Sequence, residues 1–308
     1  MIERIDDLKR KYPLNPIVVR DLRSRMRGRR AFVVLIVYLL ILGCVVAGLY
    51  QSTYTVSPFF YNNMPAGIIV GQTIFRGLVL LQLLLVSLVS PAFTVGSIAS
   101  ERERKTYDLL VTTLLPARSI VLGKLGAALV YVILLILTSL PLESMAFLFG
   151  GVALSELLIA SLGLLVTALG FGSIGLFYSS ITRSSTMATV LTYITVLLLL
   201  FALPLLGFMF VLPLAAVGSS ALENPTFLMQ LILIYGLGFL ACINPLLSAI
   251  ITDLFILDGR PLFFFTETIE SHTIYLVNPW LVYVVFYTLL SLLLILLSIR
   301  RVGQIGKT

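Results

Sequence analysis

From Ala31 to Tyr50 the chain runs for twenty residues without a charged side chain. Comparable stretches, with at most one charge each, recur at 77–99, 120–142, 157–178, 187–213, 226–252 and 279–299. A hydrocarbon core of ~30 Å is crossed by about 20 helical residues, so each stretch is long enough to span a bilayer. A soluble domain is roughly half apolar and a quarter charged. This chain is 59% hydrophobic and 11% charged, with a mean hydropathy of +1.08. The expected fold is an all-α membrane protein with no soluble domain large enough to stand alone.

The charges lie between the apolar runs and are sorted by sign. Ten Lys and Arg precede Ala31, against Glu3, Asp6, Asp7 and Asp21, and a second basic cluster holds Arg102, Arg104 and Lys105. A net charge of +7 would suit nucleic-acid binding if it formed a patch on a folded surface. Here the bases flank apolar spans, as cytoplasmic loops do under the positive-inside rule, and nucleic acid is not an expected partner. The first run has no convincing cleavage site after it and is expected to stay as a signal anchor. The Ile41-Leu42-Gly43-Cys44 box carries a leucine too large for lipoprotein processing.

Local signals divide the chain further. From Asn15 to Arg30, Val18, Val19, Leu22 and Met26 recur at helical spacing among arginines, which predicts an amphipathic helix on the membrane surface. Spans are expected at 31–50, 77–99, 120–142, 157–178, 187–213 and 279–299, with Pro204 bending the fifth and Arg76 snorkelling at the outer end of the second. After the second span, Ser100 and Glu103 form an S-x-x-E capping box, and Glu101/Lys105 and Arg104/Asp108 pair at i, i+4. They predict a short helix from Glu101 to Leu115, stopped by Pro116. Glu143 and Glu156 bracket a short external turn.

The run at 226–252 decides the topology. A full crossing there would place Arg300 and Arg301 outside and the acidic loop with Asp253, Asp258, Glu267 and Glu270 inside, against the positive-inside rule. A re-entrant hairpin broken at Asn244-Pro245 avoids this. With six spans, the external side holds seven acids against Arg76 and Arg260, and the cytoplasmic side holds 19 bases against seven acids. The expected plan is a cytoplasmic segment at 1–30, one transmembrane domain at 31–299 and a cytoplasmic tail at 300–308.

Several chemistries are excluded. The tail from Gly303 to Thr308 resembles a phosphate-binding loop, but Arg301 stands where that loop needs its first glycine and no helix follows. His272 is the single histidine, and Cys44 and Cys242 have no ligand or redox spacing, so neither a metal nor a disulfide framework is expected. Glu267 and Glu270 read as a solvated acidic loop. No paired carboxylates are expected deep within a span, which tells against a proton-coupled carrier or an intramembrane enzyme.

The run Ser100-Glu101-Arg102-Glu103-Arg104-Lys105-Thr106-Tyr107-Asp108-Leu109-Leu110, followed by Arg118 and Gly123-Lys124, resembles permeases of the type-2 ATP-binding cassette (ABC) transporters. Their pattern is acidic-basic-acidic-basic, a small residue and Thr, then an acidic residue and paired leucines, between spans two and three. Asn15-Pro16 through Arg20, Ser179-Ser180 with Arg183, and Asn278-Pro279-Trp280 extend the likeness along nearly the whole chain. Two features depart from it: Lys105 stands where such permeases often have Gly, and the external region 219–278 is longer than expected.

The resemblance implies an N-terminal elbow helix, a cytoplasmic coupling helix between spans two and three, and external re-entrant helices before span six. It implies a permease subunit, an exporter by analogy, in the cell membrane with both termini cytoplasmic. Its partners would be an ABC ATP-binding subunit, which binds ATP and Mg, and a second permease, identical or not. The chain itself would hold no cofactor and hydrolyse nothing. Glu101, Arg102, Glu103, Arg104 and Tyr107 would contact the ATPase. The rival reading from another class is a membrane scaffold that binds a partner without transport.

Overall fold

The computed structural model describes residues 18, 29–60, 66–105, 116–202, 204–207, 209, 227–269 and 272–305. In chain order the described elements are α1 (Arg29–Phe60), α2 (Ala66–Thr94), a short α3 (Ala99–Glu103), α4 (Ala117–Leu148), α5 (Leu154–Ile181), α6 (Ser185–Leu197), which passes into a π-helical turn at Leu198–Ala202, α7 (Phe227–Ile243), α8 (Pro245–Leu257), strands β1 (Phe264–Ile269) and β2 (His272–Val277), and the long closing helix α9 (Pro279–Ile305). Among the described residues six helical segments are long and apolar enough to cross a membrane, or seven if the bent pair α7–α8 counts as one. The expected elbow helix lies outside the described residues except for Val18, Arg29 and Arg30.

The helices sort their side chains as a lipid solvent demands. On α1, Phe32, Val33, Ile36, Val37 and Leu40 are exposed, while Tyr38 and Leu42 turn inward and pack with Ile74, Leu78 and Leu135. Leucine facing hydrocarbon costs nothing, so association rests on close packing and hydrogen bonds instead. Hydroxyls along the helices mostly return to a carbonyl of their own preceding turn, as Thr73 does to Ile69 and Ser87 to Leu83.

Helix α5 is the centre of the bundle, packed against α2, α4, α6 and α9. Its glycines set the spacing. A Cβ on Gly175 would lie 2.4 Å from Thr94 Oγ1 and 3.1 Å from the Pro91 carbonyl, and one on Gly170 would lie 2.5 Å from Tyr287. Small residues at those two points let α2 and α9 approach the α5 backbone. Across the same seams Ser90 donates to the Ala168 carbonyl at 2.5 Å, and Thr167 shares a 2.7 Å hydrogen bond with Tyr283.

Pro204 was expected to bend the fifth span, and the irregularity falls one turn earlier, as the π-helical turn. Proline has no N–H. The carbonyls four and five residues before Pro204, those of Leu200 and Leu199, therefore lose the donor that an α- or π-turn would supply. The Asn244 side chain replaces it: its Nδ2 donates to Leu199 O at 2.7 Å and to Leu200 O at 2.8 Å. The Asn244 Oδ1 meanwhile accepts from the backbone N–H groups of Leu246 and Leu247, both at 2.9 Å, and so caps α8. Tyr287 on α9 donates to the Ile243 carbonyl at 2.9 Å. The 119° bend between 234–243 and 245–257 is thus held from α6 on one side and α9 on the other.

Two expectations are corrected at this level. Glu143 does not stand in an external turn: α4 continues to Leu148, and Glu143 is fully buried with Ser139, one turn earlier on the same helix. Arg76 does not merely reach toward headgroups, because it sits within α2 and pairs with Asp253 of α8 at 2.7 Å. The acidic loop is also more ordered than expected. Its residues form an antiparallel hairpin in which Phe264 pairs with Val277 and Ile269 with His272, and Glu267 on β1 pairs with Arg260 at 2.8 Å. Glu270 lies outside the described residues.

The Asn244 clasp makes a prediction. Asn244→Ala leaves two buried carbonyls unpaired and uncaps α8, a cost of about 3 kcal/mol, read as a lower melting temperature of the detergent-purified protein. In a Pro204→Ala background, where residue 204 regains an N–H, the same substitution costs about 1 kcal/mol less.

Candidate functional site

The sequence-predicted site residues gather at one end of the bundle, where α2 leads into α3, α4 and α6 begin, and α5 and α9 finish. After Thr94 the chain turns through residues 95–98 and enters α3. The expected capping box does not form. Helix α3 starts earlier, at Ala99, and its first free N–H groups, those of Ile98 and Ala99, both donate to the Ser179 hydroxyl of α5 at 3.0 Å. That leaves Ser100 to donate back to the Gly96 carbonyl. Glu103 is drawn instead to the start of α6, where it accepts from the Ser185 hydroxyl at 2.5 Å and from the Ser185 backbone N–H at 3.2 Å.

The expected Glu101/Lys105 pair is replaced by a longer-range one. Glu101 binds Lys124 of α4 at 2.8 Å, and the Lys124 ammonium also donates to the Ser97 carbonyl at 2.6 Å. The Lys124 side chain is only 3% exposed. A lysine about two turns into an apolar helix would be costly without an anionic partner, and Glu101 supplies it. Lys105 is unable to pair along the helix because α3 has ended: its φ of 57° is left-handed. This is the conformation that glycine adopts freely at a helix C-terminus.

Arg102 donates to the Thr182 carbonyl at 3.2 Å, in the link between α5 and α6. Three of the five predicted residues, Glu101, Arg102 and Glu103, therefore tie α3 to its neighbours. Arg104 is exposed. Tyr107, Asp108 and the rest of the expected helix to Leu115 lie outside the described residues. The residues missed from sequence are the receiving ones: Lys124, Ser179, Thr182 and Ser185. Ser179 and Lys124 had been singled out, but nothing in the spacing showed that α3 would dock on them.

This end is basic. Arg102, Arg104, Lys105, Arg118, Lys124, Arg183, Arg300 and Arg301 are set there against Glu101 and Glu103. A groove of about 420 Å³ between the start of α4 and the end of α9 is lined by Arg118, Arg300 and Gln304. The opposite end carries Glu156, Asp253, Asp258 and Glu267 against Arg76 and Arg260. No group of His, Cys, Asp and Glu suited to a metal occurs among the described residues.

The arrangement is mechanical in kind. Helix α3 is joined to α2 through the chain, to α4 through Lys124, to α5 through Ser179 and to α6 through Ser185. Five residues thereby touch the ends of four membrane helices. A load applied to α3 reaches all four without a long lever.

Lys124→Met removes the cation from a mostly buried pair, and such a loss costs about 3 kcal/mol. Limited trypsinolysis checks it: cleavage after Arg102, Arg104 and Lys105 is expected to quicken in the variant relative to the parent protein.

Residues 16–250 match the model of a protein family described as ABC-2 family transporter protein. No curated protein matches the chain.

Proposed function

The chain belongs to the ABC-2 family of transporter proteins, and from that premise we propose that it is the permease subunit of an ABC exporter, driven by a separate ATP-binding subunit that docks on α3 and the residues after it. The observation that carries this reading is the docking of a charged five-residue helix against the ends of four membrane helices, at the basic end of the bundle. In a bilayer the basic end faces the cytoplasm, where ATP is found. The acidic end, with the hairpin and the bent pair α7–α8, then faces outward, and both termini lie inside. On this reading α7–α8 is a re-entrant pair, consistent with its 119° bend at Asn244.

In the mechanism, the ATP-binding subunit holds ATP and Mg and closes on nucleotide. Arg104 and Tyr107 take its surface, and Glu101, Arg102 and Glu103 pass the displacement to the membrane. Each does so through a bond already described: Glu101 to Lys124, Arg102 to Thr182, Glu103 to Ser185. Coupling of this type needs an interface with two stable arrangements and no catalytic residue in the permease. Spans one, two and five, here α1, α2 and α6, are the ones expected to tilt. Helices α1 and α6 are the least buried of the six spans found among the described residues. Their free faces are available to a second permease subunit, which completes the transport pathway.

The experiment uses two exposed residues that make none of the anchoring contacts above. The double charge reversal Arg104→Glu, Lys105→Glu is expected to lower recovery of the ATP-binding subunit on a tagged permease by about tenfold, with membrane insertion unchanged. Unchanged recovery would remove α3 as the docking element.

A further inference from the structure

A cavity of about 240 Å³ lies at the acidic end of a single subunit, between α2, α5, α8 and the start of α9. It is far from α3 and independent of whether an ATPase docks there. Its inner wall is apolar, with Val79, Leu83, Ile159, Ala249 and Val284, and the wall along α2 from Arg76 to Leu83 spans about 10 Å at 1.5 Å per residue. Its mouth is polar, with Arg76, Glu156, Thr252 and Asp253. A second cavity of about 170 Å³ shares Arg76, Glu156 and Asp253 and adds Gln72. The two form a polar compartment beside an apolar one, the shape of an amphipathic molecule.

The polar compartment also states the sign of the head group. Arg76 is matched by Asp253 at 2.7 Å, so Glu156 is the surplus charge. Glu156 makes no salt bridge of its own among the described residues: it accepts from the Ala153 backbone N–H and lies within the field of Arg76, which Asp253 holds. The three groups together carry one net negative charge, and at the rim of a membrane helix that charge calls for a cation. Thr252 supplies a second observation. It is 6% exposed, lines the cavity, and its hydroxyl has no hydrogen-bond partner among the described residues. Buried hydroxyls are ordinarily paired, and one left free in a cavity awaits a ligand group.

We infer that this cavity binds a single-chain amphipathic amine, its ammonium held by Glu156 and the Thr252 hydroxyl and its alkyl chain laid along α2 toward Leu83. Arg76 and Asp253 neutralise one another beside it. Gly163 lies on the cavity wall, and a Cβ added there meets open space, so larger side chains fill the cavity from this position.

The test is retention of dodecylamine, compared with dodecanol, by the full chain in lipid nanodiscs, read by native mass spectrometry. The protein is expected to retain the amine in preference to the alcohol. Glu156→Gln is expected to weaken retention by about tenfold, and Thr252→Val less so. Gly163→Leu, which leaves every polar group in place, is expected to abolish it. Equal retention of dodecanol, no retention of the amine, or retention unaffected by both Glu156→Gln and Gly163→Leu would overturn the inference.

Discussion

A backbone carbonyl with no donor is expensive in hydrocarbon, where water cannot make up the loss, and this one cost shapes most of the chain. It requires helices through the apolar runs. It also requires a remedy wherever a helix is interrupted. At Pro204 the remedy is the Asn244 amide, which serves the two carbonyls that the proline leaves without donors. At the start of α3 the remedy is the Ser179 hydroxyl, which accepts from two N–H groups at once. In both places the polar side chain that mends the break belongs to a different helix. Each repair is therefore also a joint, and the bend of α7–α8 and the seat of α3 come from the same physical demand.

Charge follows a similar rule. Two ionisable pairs bridge helices at the ends of the bundle, Lys124 with Glu101 and Arg76 with Asp253, while the buried Glu143 is met by Ser139 of its own helix. The first pair stands at the basic end and fastens the proposed motor contact. The second stands at the acidic end and leaves Glu156 over. The two ends thus differ in build as well as in sign: one presents exposed charges on a firmly held helix, the other encloses a cavity with a polar mouth.

The apolar runs and the break at Asn244-Pro245 were legible in the sequence, because each depends on length, composition or a local breaker. The helix expected from Glu101 to Leu115 was not, since it runs from Ala99 to Glu103 and a left-handed Lys105 follows. What was not legible depended on partners distant in sequence. Glu101 had an apparent partner at Lys105, and only packing shows that Lys124, across the loop, is the nearer one. Glu143 was placed in a turn because a charge near a span end usually marks its limit, whereas α4 runs five residues further and buries it. The hairpin was read as a solvated loop because its strands carry Thr, Glu and His among the aromatics. Alternation emerges once Phe265 and Ile274 are seen to be the buried members. The Ser100 capping box failed for a related reason: the motif was present, but Ser179 had already taken the free N–H groups.

The central claim is that the end bearing α3, and not the end bearing the hairpin, receives the motor. Site-specific photo-crosslinking from position 104 and from position 275, each introduced singly into the full chain in membranes that also contain its ATP-binding partner, tests this directly. Both positions are exposed. The account predicts that position 104 captures a nucleotide-binding subunit and position 275 does not. Capture from position 275, or from neither, would contradict it.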